Sequence, residues 1–124
     1  MATVLLVDDH ASQREIYELA LGMAHFVVHQ AASGGQAIEA AHTIRPDVIV
    51  LDLAMPKLDG WEVCRRLKAD PATRGIPIIV VTAHIAPGIR ESAERAGCDA
   101  YLVKPCLPEK LIAAVRDQLR REVA

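Results

Sequence analysis

Residues 47–62 read DVIVLDLAMPKLDGWE, and this stretch decides the fold. Its first part, Val48–Leu51, is an unbroken run of aliphatic residues, as expected for a strand that is buried on both faces. The run ends at Asp52. Asp59 and Glu62 then have the spacing of a capping box, which predicts the start of a helix. A buried strand, an acidic turn and a helix in this order are typical of a parallel α/β protein.

Four further apolar runs alternate with helix-like segments on either side of this stretch. The runs are Thr3–Val7, Phe26–Ala31, Ile76–Val81 and Ala100–Val103. His29 and Gln30 interrupt the second run with polar side chains, which suits a strand at the edge of the sheet. Repeated strand–helix units predict a parallel sheet with helices on both faces. An open, doubly wound sheet is favoured over a barrel, which needs more units than the chain contains.

Local signals predict where the helices begin and end. Ser12 with Glu15, and Ser33 with Gln36, have capping-box spacing at the starts of the first two helices. Gly97 is placed to end the fourth helix in the left-handed conformation. The first helix is predicted to be amphipathic because apolar residues recur at helical spacing, namely Ile16, Leu19, Ala20 and Met23.

Composition limits the possible functions. The chain has 124 residues, of which 52% are hydrophobic but only 3% aromatic, so residues 1–124 are predicted to form one domain with an aliphatic core. The net charge of −2 gives no basic surface for direct nucleic-acid binding. No apolar run is long enough to span a membrane, and no signal peptide is recognisable. Three cysteines without paired spacing do not indicate a disulfide framework. We therefore expect a cytoplasmic protein.

Polar residues follow four of the predicted strands at one edge of the sheet. Asp8 and Asp9 follow the first strand, Asp52 the third, Thr82 ends the fourth and Lys104 follows the fifth. Ligands of open α/β sheets bind at this edge. Carboxylates held together repel one another and raise each other's pKa unless a cation joins them. Oxygen ligands in a small acidic pocket suit Mg²⁺.

Such a pocket can support phosphoryl transfer. A carboxylate beside a metal ion can attack phosphorus, which would give an acyl phosphate on Asp52. Lys104 and Thr82 are placed to neutralise phosphoryl oxygens. His10 follows the acidic pair, but the histidines of the chain show no ligand spacing, so we expect most of them to be solvated.

The ordered set of motifs resembles the receiver domains of two-component response regulators over essentially the whole chain. The motifs are LLVDDH (residues 5–10), the stretch at 47–62, IIVVTA (78–83) and AGCDAYLVKP (96–105). The resemblance implies a flavodoxin-like fold with five parallel strands in the order 2-1-3-4-5. It also implies that a histidine kinase or a histidine phosphotransfer protein phosphorylates Asp52.

The same resemblance assigns roles to individual residues. Mg²⁺ would be bound by Asp9, Asp52 and the backbone carbonyl of Ala54, with Asp8 acting through water. Thr82 and Tyr101 would form the switch pair, and the Lys104–Pro105 peptide bond would be cis. Ala54 and His84 would border the path of the water that hydrolyses the acyl phosphate. These residue roles are expectations from the family alone.

The expected output is a protein contact. A downstream target would bind the face formed by the fourth helix, the fifth strand and the fifth helix, and the protein would be a monomer or a weak phosphorylation-dependent dimer. The sequence stops soon after the fifth helix, which fits either a stand-alone regulator or a receiver from a larger protein.

Other functions stay open. A phosphatase with an aspartate nucleophile would need an acid–base residue at the position of Ala54, so we expect no enzyme acting on an external substrate. A flavodoxin would need a phosphate-binding loop after the first strand, where this chain has acidic residues. A receiver-like scaffold that is never phosphorylated would have no use for Lys104 beside the aspartates.

Overall fold

The computed structural model describes residues 1–53, 59–83 and 87–123. The strands are β1 (Thr3–Val7), β2 (Val27–Ala31), β3 (Val48–Leu51), β4 (Ile78–Thr82) and β5 (Ala100–Val103). The helices are α1 (Ala11–Met23), α2 (Gly34–Ile44), α3 (Gly60–Ala69), α4 (Ile89–Ala96) and α5 (Pro108–Val123). Within these ranges, no helix combines the length and the apolar character that crossing a membrane requires.

The strands form one parallel sheet in the order β2-β1-β3-β4-β5. This confirms the predicted order and the edge position of β2. Successive residues of the central strands point to opposite faces of the sheet, so each strand supplies side chains to two hydrophobic cores, one on each face. Leu5, Ile49 and Val80 pack on the side of α2 and α3. Val4 and Ile79, from the same strands, pack on the side of α1 and α5.

Two strands begin later than predicted, because backbone groups are bonded elsewhere. The Phe26 N–H donates to the Leu21 carbonyl at the end of α1, so pairing of β2 begins at Val27. The N–H of Ile76 is bonded within the preceding turn, and Pro77 has no N–H. Strand β4 therefore runs from Ile78 to Thr82 rather than over Ile76–Val81.

Helix α1 differs from the prediction in its start and in its exposed face. It begins at Ala11 after the N-cap residue His10, without a side-chain cap, so the predicted Ser12–Glu15 capping box is wrong. Tyr17 and Leu21 face the core. Three of the four residues of the predicted apolar stripe point to solvent instead, with exposed fractions of 55% for Ile16, 67% for Leu19 and 75% for Met23, while Ala20 is partly buried.

The other predicted helix signals are confirmed. The Gln36 N–H donates to Ser33 Oγ at 3.3 Å, and the Glu62 N–H donates to Asp59 Oδ1 at 3.0 Å. Each cap satisfies one of the N–H groups that a helix start leaves unpaired. Gly97 ends α4 with φ of 106°, a left-handed conformation that favours glycine.

Candidate functional site

The carboxyl ends of β1 and β3 bring two carboxylates together. Val7 and Leu51 are paired in the sheet, and Asp8 and Asp52 are the next residues of their strands. The Asp52 N–H continues the ladder by donating to the Val7 carbonyl at 3.0 Å. Both side chains are nearly buried, with exposed fractions of 10% for Asp8 and 5% for Asp52. The predicted edge of the sheet is therefore where these two groups lie.

Helix α3 approaches the Asp52 backbone closely. The Gly60 N–H donates to the Leu53 carbonyl at 3.1 Å. A Cβ atom on Gly60 would lie 2.5 Å from the Asp52 carbonyl oxygen and 2.5 Å from the Leu53 Cα. Only glycine fits at this distance, so the start of α3 is fixed against the residue predicted to be the nucleophile.

Lys104 supplies a cation to the two buried carboxylates. The backbone N–H of Lys104 donates to the Thr82 carbonyl at 2.8 Å, and the Lys104–Pro105 peptide bond is cis, as predicted. The ammonium Nζ lies 3.1 Å from Asp8 Oδ2 and 3.4 Å from Asp52 Oδ2. One lysine thus bridges the aspartates that follow β1 and β3.

These contacts change the pKa values of both partners. Burial by itself raises the pKa of Asp8, but the His10 N–H and the Lys104 ammonium outweigh it and lower that pKa. Burial disfavours the charged ammonium, but the hydrogen bond to Asp8 and the charge of Asp52 outweigh it and raise the pKa of Lys104. Asp8 and Lys104 are therefore both held in their charged forms.

His10 contacts both members of the acidic pair, which the sequence analysis did not predict. Its Nδ1 lies 3.1 Å from Asp8 Oδ1 and 3.0 Å from Asp9 Oδ1. The ring nitrogen is hydrogen-bonded to Asp8. Asp9 Oδ1 is buried and has no hydrogen-bond partner within the described part of the chain. This buried oxygen thus has the His10 ring beside it but no hydrogen bond in that part of the chain, and its negative charge suits a cation.

The donor set fits a divalent cation. One ligand atom from each of Asp8, Asp9, His10 and Asp52 lies within 4.8 Å of the others. Three of the four groups are carboxylates, and oxygen is the ligand that Mg²⁺ prefers. When bound, an ion here would give Asp9 Oδ1 a partner. Ala54, whose carbonyl is the remaining expected ligand, lies outside the described residues, as does His84.

The expected switch residues lie on neighbouring strands. Thr82 is fully buried at the end of β4, and its carbonyl accepts the backbone N–H of Lys104. Tyr101 is partly exposed on β5 and is paired with Val80 of β4. The Arg90 guanidinium of α4 lies 5.9 Å from the centre of the Tyr101 ring, within the range of a cation–π contact.

Two residues of α1 also border the site and were missed. Arg14 Nη1 donates to the Asp8 carbonyl at 2.5 Å, and its Nε donates to Gln30 on β2. The Tyr17 hydroxyl donates to the Cys106 carbonyl at 2.9 Å. Both side chains line a small cavity together with Asp8 and Lys104. The available signal was position, since a helix that begins directly after Asp8-Asp9-His10 must turn one face towards the pocket.

A family model described as "Response regulator receiver domain" matches residues 4–116. Among curated relatives, the response regulator MprA of Mycobacterium ulcerans is 41% identical over 118 residues, which cover 95% of this chain and 50% of MprA. The DNA-binding dual master transcriptional regulator RpaA of Synechocystis is 37% identical over 98% of this chain and 50% of its own. The chain thus spans about half the length of these relatives.

Solved structures give the same result. The Vibrio cholerae chemotaxis protein CheY4 is 33% identical, with a TM-score of 0.90, and the match covers 96% of this chain and 99% of that one. The fold, the strand order and the matched residues agree, and the chain belongs to the response regulator receiver domain family.

Proposed function

We propose that Asp52 accepts a phosphoryl group from a phosphohistidine on a histidine kinase or a histidine phosphotransfer protein, in a Mg²⁺-dependent reaction. The observation that carries this proposal is the contact of the Lys104 ammonium with Asp8 and Asp52 in one nearly buried pocket. The arrangement offers a carboxylate nucleophile beside a cation that can neutralise an incoming phosphoryl group. Membership of the receiver family supports the same assignment.

The transfer replaces one bond to phosphorus with another. A carboxylate oxygen of Asp52 forms the O–P bond while the N–P bond of the donor histidine breaks, and the product is an acyl phosphate. The Lys104 ammonium neutralises one phosphoryl oxygen, and the Thr82 hydroxyl donates to another. Mg²⁺, when bound, withdraws charge from the phosphoryl oxygens and reduces their repulsion by the carboxylates.

We propose Asp9, Asp52 and the Ala54 carbonyl as direct Mg²⁺ ligands, with Asp8 bound through water. Membership of the receiver family supports this assignment, and the Lys104 ammonium does not distinguish the two buried aspartates because it contacts both. Asp9→Ala should therefore weaken Mg²⁺ binding more than Asp8→Ala. Isothermal titration with MgCl₂ measures both affinities, and equal losses would contradict the assignment.

The signal ends when water attacks the phosphorus and the O–P bond to Asp52 breaks, which restores the carboxylate. The protein therefore assists its own phosphorylation and dephosphorylation but turns over no external substrate. We propose that His84, rather than Ala54, sets the hydrolysis rate, because a methyl side chain can neither hold nor block a water. The rate of phosphate loss from His84→Ala, compared with the wild type, tests this, and an unchanged rate would refute it.

The phosphohistidine donor is proposed to dock on the exposed side of α1. This helix begins at Ala11, directly beside the acidic pair, and presents the exposed apolar side chains Ile16, Leu19 and Met23. Contiguous exposed apolar side chains are typical of protein-binding surfaces. Leu19→Ser should slow transfer from a phosphohistidine protein but not from acetyl phosphate, which needs no docking. Equal slowing with both donors would contradict this docking site.

The output is proposed to run through Thr82 and Tyr101 to the face formed by α4, β5 and α5. Phosphorylation would draw Thr82 towards the phosphoryl group and Tyr101 inward, and Tyr101 would then leave Arg90. Amide NMR spectra with and without beryllofluoride test this route. Changes should reach residues 87–112, and changes confined to the surroundings of Asp52 would contradict it.

We propose that residues 1–124 form one receiver domain whose target is a protein surface. The DNA-binding relatives are about twice as long as this chain, so DNA contact in such proteins need not involve the receiver half. In a longer protein of that type, the same face would act on the attached portion.

The direct test is transfer from a small donor. Incubation with acetyl phosphate and Mg²⁺ should add one phosphoryl group to the wild-type protein, and intact-protein mass spectrometry measures this addition. Asp52→Asn should show no addition, and a chelator should abolish it in the wild type. Equal labelling of Asp52→Asn and the wild type would refute the proposal.

A further inference from the structure

The turn that follows Lys104 is anchored by a residue of a distant helix. Lys104 comes directly after β5, and residues 105–107 lead from it to the start of α5 at Pro108. The Tyr17 hydroxyl of α1 donates to the Cys106 carbonyl in this turn at 2.9 Å, across 89 positions of the sequence. This hydrogen bond joins α1 to the segment that immediately follows the lysine.

Both partners of this hydrogen bond are shielded from water. Tyr17 is 5% exposed and Cys106 is 9% exposed, and both belong to the hydrophobic core on the side of α1 and α5. A carbonyl buried in this way needs a donor, and solvent has little access to replace the phenol. Burial, together with the nearby Cys106 and Asp8, raises the pKa of Tyr17 to about 12, so the hydroxyl keeps its proton at neutral pH.

The lysine is held on both sides along the chain. Before the turn, its backbone N–H donates to the Thr82 carbonyl of β4 at 2.8 Å. After it, Pro105 has no N–H to donate, and the Cys106 carbonyl, one residue further on, is bonded to Tyr17. The position of Lys104 therefore depends on β4 at one end and on α1 at the other.

Packing alone does not fix the lysine side chain. A cavity of about 10 Å³ is lined by Tyr17 and Lys104 together with Asp8 and Asp52. This volume is about that of one water molecule, so the side chain of the lysine has free space on one side. A turn released from Tyr17 can shift into that space, and the ammonium shifts with it.

We infer that Tyr17 is a positioning residue for phosphoryl transfer, because its hydroxyl holds the turn that keeps the Lys104 ammonium beside Asp52. The inference rests on the proposed function, in which Lys104 neutralises a phosphoryl oxygen. Tyr17 acts through the backbone of Cys106 and takes no part in making or breaking bonds. A displacement of about 1 Å at a reacting group can lower a rate about 100-fold, so even partial release of the turn gives a measurable loss.

The test removes only the hydroxyl. Tyr17→Phe keeps the ring in the core and leaves the Cys106 carbonyl without this donor. Thr73→Val is the matched control, because the Thr73 hydroxyl is also buried and donates to a backbone carbonyl, that of Leu67, at 2.7 Å. Thr73 lies in the connection from α3 to β4, at the amino ends of the strands, whereas the pocket lies at their carboxyl ends.

The rate of labelling by acetyl phosphate at saturating Mg²⁺ is the first readout. Tyr17→Phe should be labelled about tenfold more slowly than the wild type, and Thr73→Val should stay within about twofold of it. A Tyr17→Phe protein that is labelled as fast as the wild type, or equal slowing of the two variants, would overturn the inference.

Amide hydrogen exchange examines the turn itself, without phosphoryl chemistry. The Lys104 N–H is protected by its bond to the Thr82 carbonyl. In Tyr17→Phe its exchange should accelerate about tenfold more than that of the central β3 residue Val50, which reports global opening. In Thr73→Val the ratio of the two rates should not change. A common factor for both amides in Tyr17→Phe would mean a purely structural role and would overturn the inference.

A double-mutant cycle tests whether Tyr17 acts through Lys104. Beryllofluoride is the phosphoryl analogue, and amide NMR titration in Mg²⁺ gives its affinity. Tyr17→Phe should weaken binding about tenfold when Lys104 is present but less than about twofold in Lys104→Met, which has no ammonium to position. Equal weakening in both backgrounds would overturn the inference. Failure of the proposed function would show instead as absence of Asp52 labelling in the wild type, and the exchange experiment does not depend on that result.

Discussion

Replacement of Lys104 by methionine removes the cation between two nearly buried carboxylates while keeping a side chain of similar length. At 3.1 Å from Asp8 and 3.4 Å from Asp52, each charge contact has a gross attraction of about 5 kcal/mol at an effective dielectric constant near 20. The desolvation of all three groups offsets much of this. Removing one partner of a buried pair typically costs about 3–5 kcal/mol, and Lys104 is 19% exposed, so we expect a loss of about 2–4 kcal/mol.

Urea unfolding in the presence of a metal chelator measures this loss. The folded-state pKa of Asp8 is lowered, so its stabilising effect is present above its unfolded pKa of about 3.9 and is lost as pH falls through the folded value. The difference between the wild type and Lys104→Met should therefore be largest near neutral pH and shrink in acid. Saturating Mg²⁺ should stabilise the variant, by about 2.7 kcal/mol at 100 times the dissociation constant.

Lys110→Met is the matched control, because Lys110 lies exposed on α5. Its stability should stay within about 0.5 kcal/mol of the wild type at every pH. A Lys104→Met protein as stable as this control near neutral pH, or one whose deficit does not change with pH, would refute the electrostatic account of the pocket.

Two further predictions concern packing and pH. Gly60→Ala places a Cβ atom 2.5 Å from the Asp52 carbonyl oxygen. Urea unfolding should therefore show a free energy of unfolding that is lower by about 1–3 kcal/mol, and labelling by acetyl phosphate should be slower. No change in either quantity would contradict the close approach. His42 donates through both ring nitrogens only when protonated, to the Ile38 carbonyl and to Asp70, and these bonds raise its pKa. The stabilising effect of His42 is present below its unfolded pKa of about 6.5 and is lost as pH rises through the folded value. The melting temperatures of the wild type and His42→Gln should therefore differ more near pH 5.5 than near pH 8.5. A difference that does not change with pH would contradict this.

Local chemistry explains which parts of the fold could be predicted from the sequence. The bounds of β1, β3 and β5 match the predicted runs. A charged residue follows each run, and an aspartate also precedes β3 and β5. Ser33 and Asp59 cap their helices as predicted, since a cap depends only on residues three positions apart. Asp8 and Asp52 were predicted to meet because the carboxyl ends of parallel strands share one edge.

The errors arise where tertiary packing decides. Helix α1 carries two apolar stripes, and periodicity cannot tell which one the sheet will cover. The sheet covers Tyr17 and Leu21, which leaves Leu19 and Met23 in solvent. Likewise, the contact of His10 with the acidic pair depends on the turn that begins α1, whereas its sequence position suggested only a solvated side chain.

The most direct measurement of the central claim locates the phosphoryl group on the chain. After incubation with acetyl phosphate and Mg²⁺, borohydride reduces an aspartyl phosphate to homoserine, and tandem mass spectrometry of the peptides identifies the modified position. The account predicts homoserine at position 52 and unmodified aspartate at positions 8 and 9. Homoserine at position 8 or 9, or none at position 52 in a protein that has gained a phosphoryl group, would contradict it.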